Sequence, residues 1–276
     1  MKIDSFLKWA GGKSKLLPFL FKHFPDNFDR FVEPFFGGGT VGLNVDCDNC
    51  IVNDVNPDLI STWVHLQQKQ YFIEDCKRLF VPKNKTREAY DGLRHEFNTT
   101  TNLYFKATLF PYLNRHGYNG LCRYNSKGIY NVPVGDGADK DKDVFFPQKE
   151  MEDCKVRIQN FKILNTDFRS VFELVEKGDM VYCDPPFFPQ SETASFSKYS
   201  QGDFSLVDQI DLAKCAVEAA RKGATVIISN HCNWYSRQMY EDVFFAKIKT
   251  VDSSRTISSK VKERKSVKEL IAIFTP

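Results

Sequence analysis

No run of about 18 apolar residues occurs in this chain, which excludes a helix built to cross a membrane. The opening MKIDSFLKWAGGK has charges on both sides of a short apolar stretch and lacks a signal-peptide profile. Of the eight cysteines only Cys47 and Cys50 have close, metal-like spacing, and no second Cys/His pair completes a zinc set. The expectation is separate reduced thiols, no metal and a cytoplasmic location. Strong charge is missing as well: 38 Lys and Arg against 35 Asp and Glu leave a net +3, too little to identify a nucleic-acid partner from the total. There is no internal repeat.

What is present is an ordinary globular composition, 42% hydrophobic and 26% charged over 276 residues, arranged in two α/β stretches around a different middle. Residues 30–33 read as a short buried strand running into Pro34-Phe35-Phe36-Gly37-Gly38-Gly39, after which 40–45 can begin a helix. Residues 50–54 read as a second strand ending in Asp54. Farther on, 161–164 is strand-like, Asp167 is placed to cap a helix over 168–177 that Gly178 ends, and 180–183 is a buried strand. Leu206, Ile210, Ala213 and Val217 share one helical face, with Ser205 as its cap and Gly223 at its stop. Strands at 225–229 and 269–274 follow. The fold class expected is α/β, a doubly wound, mostly parallel Rossmann-like sheet. The middle reads as helices at 59–70, 74–80, 86–97 and 104–112, then a loop-rich stretch over 114–135. It is expected as a helical domain, 56–144, inserted into a discontinuous one, 1–55 and 145–276. The stretch 136–143 reads as a solvated mixed-charge loop.

Gly37, Gly39 and Gly42 fit G-x-G-x-x-G after a strand, with Asp54 ending the next one. Glycines let a cofactor approach the backbone, and the acid can accept hydrogen bonds from ribose hydroxyls. Two readings stay open for this turn, a dinucleotide dehydrogenase and an enzyme using another adenosine cofactor. The stretch VYCDPPFF narrows them. Asp184 falls at the carboxyl end of a strand, where open α/β sheets bind ligands. Pro185 and Pro186 carry no N–H, so no helix begun here consumes the carbonyls before it. A carboxylate with outward carbonyls is an acceptor cluster suited to an incoming –NH2 group, and Phe187 offers a face for a planar ring. Hydride transfer has no evident use for such a cluster.

Asp184-Pro-Pro-Phe187 resembles the D/N-P-P-Y/F/W motif of amino-methylating, S-adenosylmethionine-dependent methyltransferases. The resemblance extends through FLKWAGGK (6–13), VEPFFGGG (32–39), Asn53-Asp54, LNRHGYNGLCRYN (113–125) and NVP (131–133). Five motifs in this order, spread over nearly the whole chain, are similar to the DNA adenine methyltransferase (Dam) family, α group. The resemblance implies transfer of a methyl group from S-adenosylmethionine to adenine N6 in double-stranded DNA, within GATC, by base flipping, with S-adenosylhomocysteine as product. It implies cofactor contacts from Trp9, Lys13, Phe36, Gly37, Gly39, Asp54 and Asp184, with Asp184, Pro185 and Phe187 acting on the target adenine. An RNA or protein-glutamine methyltransferase is disfavoured by aspartate rather than asparagine before the prolines. A catalytically silent DNA-binding relative is disfavoured by the intact Trp9, Lys13, Asp54, Asp184 and Pro185. A monomer is expected in solution, more than one of which can sit on a DNA.

Between Phe97 and Gly135 there is no Asp or Glu, while Lys106, Arg115, Arg123 and Lys127 alternate with Tyr112, Tyr118, Tyr124 and Tyr130. Cations neutralise phosphates, and amides and rings read or wedge bases. By resemblance Arg123 reads a guanine, Lys8 the outer guanine, and Leu121 and Pro133 touch neighbouring bases. Tyr118 and Asn119 enter the helix near the vacated adenine, Arg115 belongs to the same surface, and Asn125 and Asn131 contact phosphates. Three positions depart from the family pattern: Phe187 and His116 stand where tyrosine is common, and Asp136 where relatives can carry a phosphate-binding arginine. The basic segment 253–265 reads as a second phosphate-meeting loop.

Overall fold

The structure, a computed structural model, describes residues 2–136, 145–188, 204–254 and 266–276. The mixed-charge stretch after Asp136 and the basic stretch 255–265 lie outside the described residues. The strands are β1 (Arg30–Glu33), β2 (Cys50–Asn53), β3 (Lys162–Leu164), β4 (Asp179–Cys183), β5 (Thr225–His231), β6 (Lys247–Ser254) and β7 (Ser266–Phe274). They form a seven-stranded sheet in the order β3-β2-β1-β4-β5-β7-β6. β1 pairs in parallel with β2 and β4, and β4 with β5, whereas β7 runs antiparallel to both β5 and β6. The sheet is therefore mostly parallel, as the sequence rhythm leads one to expect. β2 and β4 are buried along their whole length, which is how a strand covered on both faces reads. The strand order reverses between β1 and β4, and ligands bind beyond the carboxyl ends of strands at such a switch point.

The helices are α1 (Leu17–Phe21), α2 (Pro57–Gln68), α3 (Phe72–Lys77), α4 (Arg87–Thr99), α5 (Leu103–His116), α6 (Gln148–Arg157), α7 (Phe168–Glu173), α8 (Leu206–Arg221) and α9 (Trp234–Arg237). No helix among the described residues is long and apolar enough to cross a membrane. Their starts follow from capping side chains that satisfy the first orphan N–H groups. Asn56 accepts from Asp58 and Leu59, Thr86 from Ala89, Asn102 from Phe105 and Asp167 from Arg169. Ser205 and Asp208 form a reciprocal capping box.

Three readings of the sequence are revised. Residues 40–45 form turns rather than a helix. The Arg157 guanidinium takes the carbonyls of Gly42 and Leu43, so these acceptors are not left to extend a helix, and the Asn44 side-chain amide ties the turns to the backbone of Ile3. α7 stops at Glu173, short of 177, and α5 continues past 112 to His116.

The contacts divide the chain into two units: Met1–Ser14, Gly37–Asn44 and Asn56–Asn165; and Lys15–Phe36, Val45–Val55 and Thr166–Pro276. In the first, Trp63 of α2 is wholly buried, meets Phe6 edge-on at 4.8 Å, and donates its indole N–H to the Gly37 carbonyl at 3.2 Å. In the second, Arg30 at the start of β1 grips the buried Asp179 at the start of β4 through Nε (3.1 Å) and Nη2 (2.7 Å). That bidentate pair fixes how the two strands flanking the switch point align.

Candidate active site and nucleic-acid interface

In the second unit β4 ends at Cys183, and the half-buried Asp184 projects from its carboxyl end into the turn that Pro185 and Pro186 impose. The turn is held on both sides of Phe187. Gln209 of α8 donates to the Pro186 carbonyl at 2.7 Å, and the Phe188 N–H donates to Asn230 Oδ1 of β5 at 3.0 Å. Asn230 Nδ2 reaches Gln209 Oε1 at 3.3 Å, which closes the brace. The Phe187 ring is half-buried and lies edge-on to His231, 4.8 Å between centroids at 79°. Phe188, 2% exposed, is packing.

At the ends of β1 and β2, Asn53 is 1% exposed and ties three segments together. Its Nδ2 donates to Pro34 O and Thr166 O, both at 3.0 Å, and its Oδ1 accepts from Thr166 N at 2.9 Å. The buried Phe36 donates its N–H to Asn53 O at 2.7 Å, and Asp54, half-buried, follows directly. Beside them opens a small, solvent-open hollow lined by Pro34, Phe35, Asn53, Val55, Thr166 to Phe168, Phe204 and Asp208. Three of its rings form a near-equilateral triangle: Phe35 to Phe168 is 5.5 Å, and Phe204 is 5.6 Å from each. An aromatic hollow beside a strand-end carboxylate suits a planar base attached to a ribose. Sequence reading missed these rings. Phe35 lies inside the glycine-turn motif and Phe168 opens a predicted helix, neither with a role assigned to its ring, and Phe204 belongs to no pattern.

In the first unit Gly37 (φ +49°) and Gly39 (φ +76°) adopt left-handed backbone. A Cβ on Gly37 would lie 2.6 Å from Trp9 Nε1, and one on Gly38 2.7 Å from Trp9 Cβ, so the half-buried indole rests directly on the glycine turn. Lys13 is 4% exposed and donates to the Gly11 carbonyl at 2.9 Å.

The residues expected to face DNA lie in this same unit. Asn114, at the end of α5, accepts from Lys8 N and donates to Lys8 O, both at 2.8 Å, and to Gly120 O at 3.1 Å. It thereby seats Lys8 on the Tyr118–Gly120 turn, where any Cβ on Gly120 would collide with the Lys8 side chain. Lys8 Nζ donates to the Arg115 carbonyl at 3.2 Å, and Arg115 Nε to the Phe6 carbonyl at 2.8 Å. Burial, and then the Arg115 charge, hold the Lys8 ammonium below its usual range; burial likewise lowers Arg115. Asn119 is exposed at the tip of the turn with φ +52°, and Tyr118 is half-buried. Leu121, Arg123, Asn125 and Asn131 follow in a hairpin bridged between Tyr124 and Tyr130, with Pro133 exposed beyond it. Among the described residues no group of three or more His, Cys, Asp or Glu is placed to hold a metal.

A glycine turn leaving the first strand of a doubly wound sheet, and an Asp-Pro-Pro-Phe corner leaving the fourth, define an α/β methyltransferase. Residues 9–257 match the model of the D12 class N6 adenine-specific DNA methyltransferases, and the chain belongs to that family. Its activity is N6 methylation of adenine in DNA. It is 39% identical over 277 aligned residues to the DNA adenine methylase of Vibrio cholerae, covering 100% of this chain and 97% of that protein. It is 40% identical to that of Salmonella typhi and 39% to that of Escherichia coli K12, covering 96% of each. A solved precorrin 8w decarboxylase from Methanobacterium thermoautotrophicum aligns over 100% of both chains at 12% identity and a TM-score of 0.42, too loosely to bear on function.

Proposed function

We propose that this enzyme methylates the adenine of GATC in double-stranded DNA with S-adenosylmethionine, after flipping that adenine out of the helix. The observation that carries the reading is the braced Asp184 corner, with Gln209 and Asn230 gripping the backbone on either side of Phe187. The exocyclic amine of adenine is a weak nucleophile because its lone pair is delocalised into the ring. Asp184 and the Pro185 carbonyl accept hydrogen bonds from its two N–H groups, favour a more tetrahedral nitrogen and meet the positive charge that grows there. When bound, S-adenosylmethionine supplies the sulfonium methyl that this nitrogen attacks. Phe187 stacks on the extruded base, which cannot reach such a pocket from inside a duplex.

Support for the cofactor comes from the residues present. Trp9, Lys13, Phe36, Gly37 and Gly39 offer a glycine-lined seat, Asp54 suits the ribose hydroxyls, and the Phe35–Phe168–Phe204 hollow suits the adenine. No metal takes part. The segment 56–144 reads DNA, and 1–55 with 145–276 binds the cofactor and carries the chemistry. Arg123 and Lys8 face the guanines, Leu121 and Pro133 the neighbouring bases, and Tyr118 and Asn119 the gap left by the adenine. Arg115 and Asn125 serve the backbone. The enzyme works as a cytoplasmic monomer, with more than one molecule able to occupy a DNA. The test is transfer of tritium from labelled S-adenosylmethionine to duplexes carrying GATC or each single-base variant. Incorporation should drop at every altered position; transfer indifferent to all four bases would reject the assigned site.

A further inference from the structure

The hairpin that carries Arg123 leaves a feature that phosphate contact does not account for. Arg123 is exposed, yet its guanidinium is already held from across the hairpin. Nε donates to Asn131 Oδ1 at 2.8 Å and Nη2 to the Asn131 carbonyl at 3.1 Å, while Asn131 N–H donates to the Arg123 carbonyl at 3.1 Å. The strand bearing Asn131 is itself fixed. Tyr130 is 1% exposed, and its backbone N–H and C=O both engage the Asn98 side chain of α4, at 2.9 and 3.0 Å. On the other side, Tyr124 donates to Asp58 Oδ2 at the start of α2, at 2.8 Å.

A guanidinium has five N–H donors in one plane, forming a side-on fork (Nε with one Nη2 hydrogen) and an end-on fork (Nη1 with the other). Asn131 occupies the side-on fork with its side-chain and main-chain oxygens. What remains pointing outward is the end-on fork, whose two parallel hydrogens match guanine O6 and N7. We infer that Asn131 is a specificity-determining positioning residue: it locks the Arg123 plane so that only the end-on fork is presented to a guanine. This rests on the reading of Arg123 as a base contact, and it replaces a phosphate role for Asn131.

The experiment compares wild type, Asn131→Ala, Asn131→Asp and Arg123→Ala. For each, kcat/KM is measured on GATC and its single-base variants, and DNA affinity across a salt series. The base pair at which Arg123→Ala loses discrimination identifies the guanine concerned. Asn131→Ala should lower discrimination at that same pair by about 10-fold, a partial loss of one bidentate contact, and leave the salt slope unchanged. Asn131→Asp keeps the acceptor oxygen and should retain the discrimination, although its charge weakens binding to all duplexes. A phosphate contact predicts otherwise: Asn131→Ala would weaken every duplex alike with discrimination intact, again without changing the slope because asparagine carries no charge, and that result overturns the inference. If Arg123→Ala relaxes one pair but Asn131→Ala relaxes none, the positioning role alone is wrong. If Arg123→Ala changes no base preference, the base-reading assignment fails and the positioning role falls with it.

Discussion

Replacing His116 with tyrosine should flatten the acid side of the stability curve. His116 closes α5, stacks on Tyr112 at 4.2 Å, packs against Phe80 at 5.1 Å, and directs Nδ1 at the Tyr112 carbonyl, 3.0 Å away. Burial pushes its pKa down from 6.5 to about 4; the carbonyl pulls upward, and Lys8 and Lys85 add to the depression. Because the folded value lies below the unfolded one, the unfolded chain binds the proton first as the pH falls. The stability due to a neutral, buried ring is complete above about pH 6.5 and is lost progressively down to about pH 4. At about 1.4 kcal/mol per unit, the full loss is about 3–4 kcal/mol, of which about 2 kcal/mol falls between pH 7 and pH 5. Urea unfolding at these two pH values, for wild type and His116→Tyr, measures the difference. Wild type should lose about 2 kcal/mol more than the variant, since tyrosine keeps an aromatic ring there and does not titrate in this range. An NMR titration should find His116 still neutral at pH 5. Equal losses in both proteins, or an imidazole titrating near 6.5, would refute the reasoning.

Asp184→Ala should cut turnover by about 100- to 1000-fold, the usual cost of removing one preorganised group that meets transition-state charge, while DNA binding stays normal; near-wild-type turnover would exclude its role. Gly37→Ala should weaken S-adenosylmethionine binding by about 10-fold, through about 1–2 kcal/mol of left-handed strain and a clash with Trp9. Calorimetric titration of the cofactor decides it, and an unchanged Kd would remove Trp9 from the site. Phe187→Ala should reduce 2-aminopurine fluorescence at the target position, since loss of one stacking ring costs about 1–3 kcal/mol, whereas Phe187→Tyr should leave it unchanged. Equal flipping by wild type and the alanine variant would leave Phe187 without a stacking role.

Much of this protein is legible residue by residue because the forces concerned act locally. β1, β2, β4 and β5 are short apolar runs between breakers, and Asp167 and Ser205 start their helices through backbone groups two or three residues away. The proline corner at Asp184 follows from ring chemistry alone. β6 escaped because, among the described residues, it is an edge strand paired only with β7, and its Lys247-Ile-Lys249-Thr mixture has no core face to announce it. The turns at 40–45 escaped because Arg157, more than a hundred residues away, claims the carbonyls that a helix would use.

The amino-acid sequence by itself determined the α/β class, the order of the parts and the proline turn at Asp184, since these depend on residue type and near neighbours. Tertiary structure decided the rest. It gathered Phe35, Phe168 and Phe204 from three separate segments into one hollow. It laid Trp9 on glycines 28 and 29 residues later. It also turned Asn131 toward Arg123, because the faces that side chains share are set by packing, and packing joins residues that the sequence keeps apart.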